Sequence, residues 1–131
     1  DLVRDVGELD QRFEAGLSDC ETKEMIVSHE AFGYLADRYG LTQVGLAGLE
    51  PEGEPTAAAL QQAVDLLRAG DAKAVFYEAS EEARRIAEAV ASDAGVQALP
   101  LNTLESEPSQ GDYLTTMEEN LASLREGLVC P

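Results

Sequence analysis

The sequence predicts an α/β fold, a parallel sheet of about four strands flanked by helices. Two observations carry this. Short apolar runs of about four to six residues alternate with helical patterns of roughly 11 to 15, the signature of βα units. Most helical stretches also carry their own punctuation: Thr56 and Ser80 stand where helices start, and Gly40, Gly70 and Gly95 where they stop. Because βαβ crossovers are right-handed, all strand carboxyl ends should lie on one edge, the usual ligand crevice of open α/β sheets.

Leu2, Val6, Leu9, Phe13 and Leu17 recur at steps of four, three, four and four. They predict a leading helix over residues 1–20, ending near Gly16 and Ser18-Asp19. Met25 to Val27 reads as a buried strand. A helix starting at Ser28 or His29 follows, with Phe32, Leu35, Ala36 and Tyr39 inward. Gln43 to Ala47 is the second strand, and Gly48 to Pro55 an acidic loop broken by Gly and Pro. Leu60, Val64 and Leu67 mark the next helix. Ala74 to Tyr77 is the third strand, running into Glu78, and Ile86, Ala87, Val90 and Ala94 line the helix after it. Val96 to Leu101 is the fourth strand, with Pro100 predicting an edge or an abrupt end. Asn102 to Gln110 is a polar loop. Leu114, Met117, Leu121, Leu124 and Leu128 then define a C-terminal helix within 110–130. His29, Gly48, Glu78 and Asn102 to Glu105 follow the four strand ends and should gather at one edge.

Composition bounds the function. The chain has 131 residues, enough for one domain with a core, and its 44% apolar content argues against disorder. With 26 acidic and nine basic residues its formal charge is −17, which argues against nucleic acid and against anionic membrane surfaces. Such a surface attracts cations, although solubility alone accounts for much of the charge. No run of about 18 apolar residues is present to span a membrane. The chain opens at Asp1 inside a helical pattern, so segments ahead of it are expected to have been removed, and the N-terminus does not give the compartment. Cys20 and Cys130 form no CxxC pair; they are either two buried thiols or one disulfide.

Catalytic signatures are sparse. Phosphate-binding glycine loops and a GxSxG elbow are absent. The two lysines, Lys23 and Lys73, do not follow strands, against a phosphate-receiver site. Thiol catalysis would require Cys20 or Cys130 to reach His29. The one histidine, His29, taken alone, reads first as a capping or packed residue. At a strand end beside carboxylates it becomes a candidate metal ligand, since imidazole and carboxylate suit zinc and, less well, manganese. Glu105 is the preferred carboxylate, ahead of Asn102 and Glu78.

A resemblance runs along these residues. Ile26-Val27-Ser28-His29-Glu30-Ala31-Phe32-Gly33-Tyr34-Leu35 and Arg38-Tyr39-Gly40-Leu41 begin it. Gly48-Leu49, Glu52, Glu54-Pro55-Thr56 and Phe76-Tyr77-Glu78 continue it. Leu101-Asn102-Thr103-Leu104-Glu105, Gly111-Asp112-Tyr113-Leu114, Met117 and Asn120-Leu121 complete it. Together they resemble the C-terminal lobe of zinc and manganese ABC-transporter substrate-binding proteins, in which two lobes joined by a long helix clamp the metal. The resemblance implies that residues 1–131 form one lobe of a two-lobe receptor, the N-terminal lobe being absent from them. It implies extracytoplasmic zinc capture and delivery to an ABC permease, without enzymatic activity. His29 carries over as a ligand and favours zinc over manganese. Many members have aspartate where this chain has Asn102, which moves the carboxylate role to Glu105. Further ligands would come from the other lobe. The resemblance also implies a Cys20–Cys130 disulfide and a periplasmic or lipid-anchored location. An acidic α/β enzyme domain and a metal-free acidic interaction module are the rival expectations.

Overall fold

A computed structural model describes residues 2–28, 32–46, 56–78, 80–102 and 113–130. The elements in chain order are α1 (Leu2–Leu17), β1 (Glu24–Val27), α2 (Gly33–Tyr39), β2 (Thr42–Gly45) and α3 (Ala57–Ala69), then β3 (Ala74–Tyr77), α4 (Glu81–Ala94), β4 (Gln97–Pro100) and α5 (Tyr113–Gly127). All strands are parallel, in the order β2-β1-β3-β4.

Alternation along the central strands sorts the core into two layers. Met25, Val27, Ala74 and Phe76 face α1, α2 and α5, meeting Leu9, Phe13, Leu17, Leu35, Met117, Leu124 and Leu128. Ile26 and Val75 face the opposite way, onto Ala63 and Leu67 of α3 and Ala87, Val90 and Ala91 of α4. Each of β1 and β3 is therefore buried on both faces, which is why its sequence is a continuous apolar run instead of an alternating one.

The predicted helix stops hold. Gly40, Gly70 and Gly95 all have positive φ (71°, 81° and 75°), and the next residue donates to a carbonyl five back: Leu41 to Ala36, Asp71 to Leu66, Val96 to Ala91. The caps hold too, with Thr56 Oγ1 accepting from Ala59 N–H at 3.0 Å and Ser80 Oγ from Ala83 N–H at 3.1 Å. α5 closes with the same bond, Cys130 N–H to Arg125 carbonyl at 2.8 Å, but Val129 (φ 58°) occupies the glycine position. A β-branched side chain there costs roughly 1–2 kcal/mol. The Cys20–Cys130 disulfide and a 3.0 Å bond from Glu21 N–H to Val129 carbonyl hold it in place.

Three boundaries depart from the sequence reading. Ser28 does not start a helix: it is buried against β3, and α2 begins only at Gly33. β2 runs Thr42–Gly45 rather than to Ala47, and β4 runs Gln97–Pro100 rather than Val96–Leu101. The residue pairing of β4 ends at Pro100, and β4 is an edge strand, as that proline predicts.

α1 and α2 are joined by a polar triad. Arg38 donates to both oxygens of Asp10, at 3.0 and 2.6 Å, and the Tyr39 hydroxyl donates to Asp10 Oδ1 at 2.6 Å. The Tyr39 ring stacks on Phe13, with centroids 5.4 Å apart. The Arg38 bonds, then that from Tyr39, hold the Asp10 carboxyl below its ordinary range. Burial, then the bond to Asp10, pushes Tyr39 up to about 12. The signs give both ends of a pH profile. A depressed carboxyl contributes stability above its unfolded value that is lost as pH falls through its folded one. A raised phenol contributes stability in full below about 10, lost as pH climbs from about 10 to about 12. Urea midpoints should therefore fall on that alkaline limb, and the Tyr39→Phe variant should flatten it. An unchanged limb in that variant would place the titration on another group.

Candidate metal-binding edge

The strand order reverses direction at β1: the chain passes from β1 to β2 on one side, then returns to β3 on the other. In such sheets the crevice lies outside the carboxyl ends of the two strands flanking the reversal, here β1 and β3. The parallel ladders continue just beyond the strands. Leu46 N–H donates to Val27 carbonyl at 2.9 Å, Ser28 N–H to Phe76 carbonyl at 3.1 Å, and Leu101 N–H to Tyr77 carbonyl at 2.8 Å. Ser28, Leu46 and Leu101, the residues just past β1, β2 and β4, are therefore still bonded to the neighbouring strands.

Two of the four sequence-predicted metal candidates fall among the described residues. Glu78 directly follows β3, and Asn102 lies just past the end of β4, so both are at this edge on neighbouring strands. Both are partly buried. His29 and Glu105 lie outside the described residues. Among the described residues no group of three or more His, Cys, Asp and Glu is arranged to hold a metal.

Polar side chains that were given no part in the site hold its backbone. Ser28 Oγ accepts from Glu78 N–H at 3.3 Å, coupling the end of β1 to the end of β3. Gln43 Oε1, reaching from β2, accepts from Phe32 N–H at 3.1 Å and fixes the entry to α2, which has no side-chain cap of its own. Asn120 of α5, buried in the core layer, accepts from Asn102 N–H at 2.8 Å and donates to Asn102 carbonyl at 2.9 Å. Asn120 alone leaves a trace in the sequence, as a gap in the apolar stripe of Met117, Leu121 and Leu124; Ser28 and Gln43 leave none.

The cysteines are elsewhere. Cys20 and Cys130 form a disulfide spanning 110 positions, in the segment that enters β1 from the amino-terminal edge. Neither is a free thiol, which closes the Cys-His catalytic reading. The neighbouring backbone is tied as well, with Thr22 N–H donating to Leu128 carbonyl at 3.2 Å. No helix among the described residues is long and apolar enough to cross a membrane.

Comparison with known proteins gives consistent matches. Residues 1–127 match the family described as ZnuA, zinc-uptake complex component A, periplasmic. The high-affinity zinc uptake system protein ZnuA of Bacillus subtilis is 34% identical over 98% of this chain, which spans 42% of that protein. A crystal structure of a Zn(II)-bound AdcAII variant of Streptococcus pneumoniae superposes with a TM-score of 0.80 at 34% identity, over 96% of this chain and 46% of the other. The laminin-binding protein Lmb of Streptococcus agalactiae, described as a bifunctional protein with adhesin and metal transporting activity, gives 0.83 at 31% identity, over 95% and 49%. The chain thus spans about half, or less, of the length of these relatives.

Proposed function

The chain belongs to the family of periplasmic zinc-uptake components A, and on that premise we propose that it is the C-terminal lobe of an extracytoplasmic receptor. The receptor captures zinc and delivers it to an ABC permease. No bond is made or broken; the protein is a carrier and not an enzyme. His29 is a zinc ligand through its neutral imidazole, and Glu105 supplies a carboxylate, in preference to Asn102 or Glu78. The remaining ligands come from the other lobe, so these 131 residues alone bind zinc weakly. Zinc is favoured over manganese because an imidazole suits it and manganese prefers an oxygen-rich shell.

The single observation that carries this reading is the match over residues 1–127, which takes in the ends of all four strands. Glu78 follows β3 beside the reversal and Asn102 follows the neighbouring β4 on the same carboxyl edge, which agrees with this reading. The charge of −17 adds a field that concentrates cations near the surface.

Zinc titration of the intact receptor against a competing chelator tests the assignment. The His29→Ala variant should bind at least about a hundredfold more weakly, since a lost ligand should cost no less than the 10–100-fold typical of a lost outer-shell partner. Native affinity in that variant would remove His29 from the site.

A further inference from the structure

Four polar side chains among the described residues are buried: Thr22, Ser28, Thr116 and Asn120. Three of them have partners. Thr22 Oγ1 donates to Leu128 carbonyl at 3.4 Å, Ser28 Oγ accepts from Glu78 N–H, and Asn120 commits both its bonding groups to Asn102. The Thr116 hydroxyl, on a residue only 3% exposed, has no hydrogen-bond partner among the described residues. A buried hydroxyl in that state costs stability unless something else meets it. Thr116 lines a cleft of about 170 Å³ between the end of β4 and α5. Asn120, one turn further along α5, and Leu101 are the other buried residues of its wall. Glu119 and Ser123 of α5 and Pro100 of β4 line it too, and are more exposed.

We propose that this cleft binds a primary ammonium group, carried by a small alkylamine or by a lysine side chain. Its lining holds one carboxylate, Glu119, and the hydroxyls of Thr116 and Ser123, and none of the described residues lining it is basic. An anion would meet that carboxylate and, around it, a chain of formal charge −17. Structural zinc sites are built on His and Cys, and hard divalent ions take several charged oxygens, so a single carboxylate suits neither. An ammonium has three N–H donors and no acceptor, which one carboxylate and two hydroxyls match in number. Pro100 and Leu101 offer an apolar side for the methylene stem. The cleft is smaller than the roughly 300 Å³ at which drug-sized pockets begin, so it suits one small group rather than a whole cofactor. The site is separate from zinc capture and stands without that reading.

The experiment follows backbone amide chemical shifts of the intact receptor as n-butylammonium chloride is added at neutral pH. Tetramethylammonium chloride at equal ionic strength is the control, since it carries the charge without an N–H donor. Butylammonium should give saturable shifts at Thr116, Glu119 and Ser123, and tetramethylammonium none. Glu119→Gln, at an exposed position, should weaken binding by about tenfold or more, as loss of a hydrogen bond to a charged group does. Thr116→Val keeps the volume, removes the hydroxyl and should weaken binding about 2–10-fold. Should Thr116→Val fail to fold, Glu119→Gln carries the test alone. A parallel titration with Nα-acetyl-lysinamide separates the sources. Binding of both compounds supports a protein lysine as the ligand, and binding of butylammonium alone supports a free amine. Shifts that do not saturate, or that tetramethylammonium reproduces, overturn the proposal. Native affinity in either folded variant overturns it as well.

Discussion

Replacing Cys20 and Cys130 together by alanine is expected to lower the stability of this lobe by about 4–5 kcal/mol, the largest change any pair of substitutions here should produce. The bond closes a loop of 110 positions, and in the chain-entropy model a loop of roughly a hundred residues is worth about 4.7 kcal/mol. Two further effects add to that figure's direction. Val129 is held at φ 58° beside the bridge, and the strain is retained only while something holds the end of α5. The bonds from Glu21 and Thr22 to the carbonyls of Val129 and Leu128 also depend on that end staying in place. Urea unfolding of the oxidised protein and the double variant measures the difference. A loss under about 1 kcal/mol would mean that the hydrogen bonds and the buried Leu128 already hold the terminus, and that the bridge constrains little.

The same substitution at two helical glycines should act in opposite directions. A methyl group added at Gly127 would lie 2.7 Å from Phe76 Cε1, nearer still to Cζ, and 3.1 Å from Ala74 Cβ. Phe76 is buried in the middle of the sheet and 1% exposed, so it has little room to retreat. Overpacking of this kind costs about 1–3 kcal/mol, enough to exceed the 0.5–1 kcal/mol or so that alanine gains over glycine in a helix. Gly7 of α1 has nothing within 4 Å of the equivalent position. Gly7→Ala should therefore stabilise by about 0.5–1 kcal/mol, while Gly127→Ala destabilises. Thermal unfolding of the two variants in parallel checks the sign of each. A stable Gly127→Ala would show that α5 can slide away from β3.

How much of this was legible in the sequence follows from what each feature depends on. The alternation of elements could be read because buried strands and helical stripes are local patterns, and Thr56, Ser80 and the closing glycines act within a turn of themselves. The start of α2 could not. Ser28 reads locally as an N-cap, yet its hydroxyl is taken by Glu78 N–H, fifty positions away, and Gln43 of another strand fixes the helix entry instead. Asn120 was hidden for a related reason: in a stripe of Met117, Leu121 and Leu124 an amide looks like a gap in the pattern, and its partner is eighteen positions upstream. Cys20 and Cys130 show the same limit, since spacing alone left both the thiol and the disulfide open until the resemblance favoured one. Of the metal candidates, the edge that Glu78 and Asn102 share followed from strand alternation and crossover handedness. His29 and Glu105 remain assignments by resemblance, outside the described residues.

The clamp at Asn102 has a consequence in polymer terms. Asn102 is bound to Asn120 of α5, and Tyr113 opens the same helix, so one element fixes both of these points of the chain. Docking of α5 therefore meets the closure entropy of the connection between these two points once, on folding. Changes of length within it would alter that closure entropy only logarithmically, by about 0.6 kcal/mol for each doubling. The connection between these two points can thus change in length at little cost to the rest of the fold.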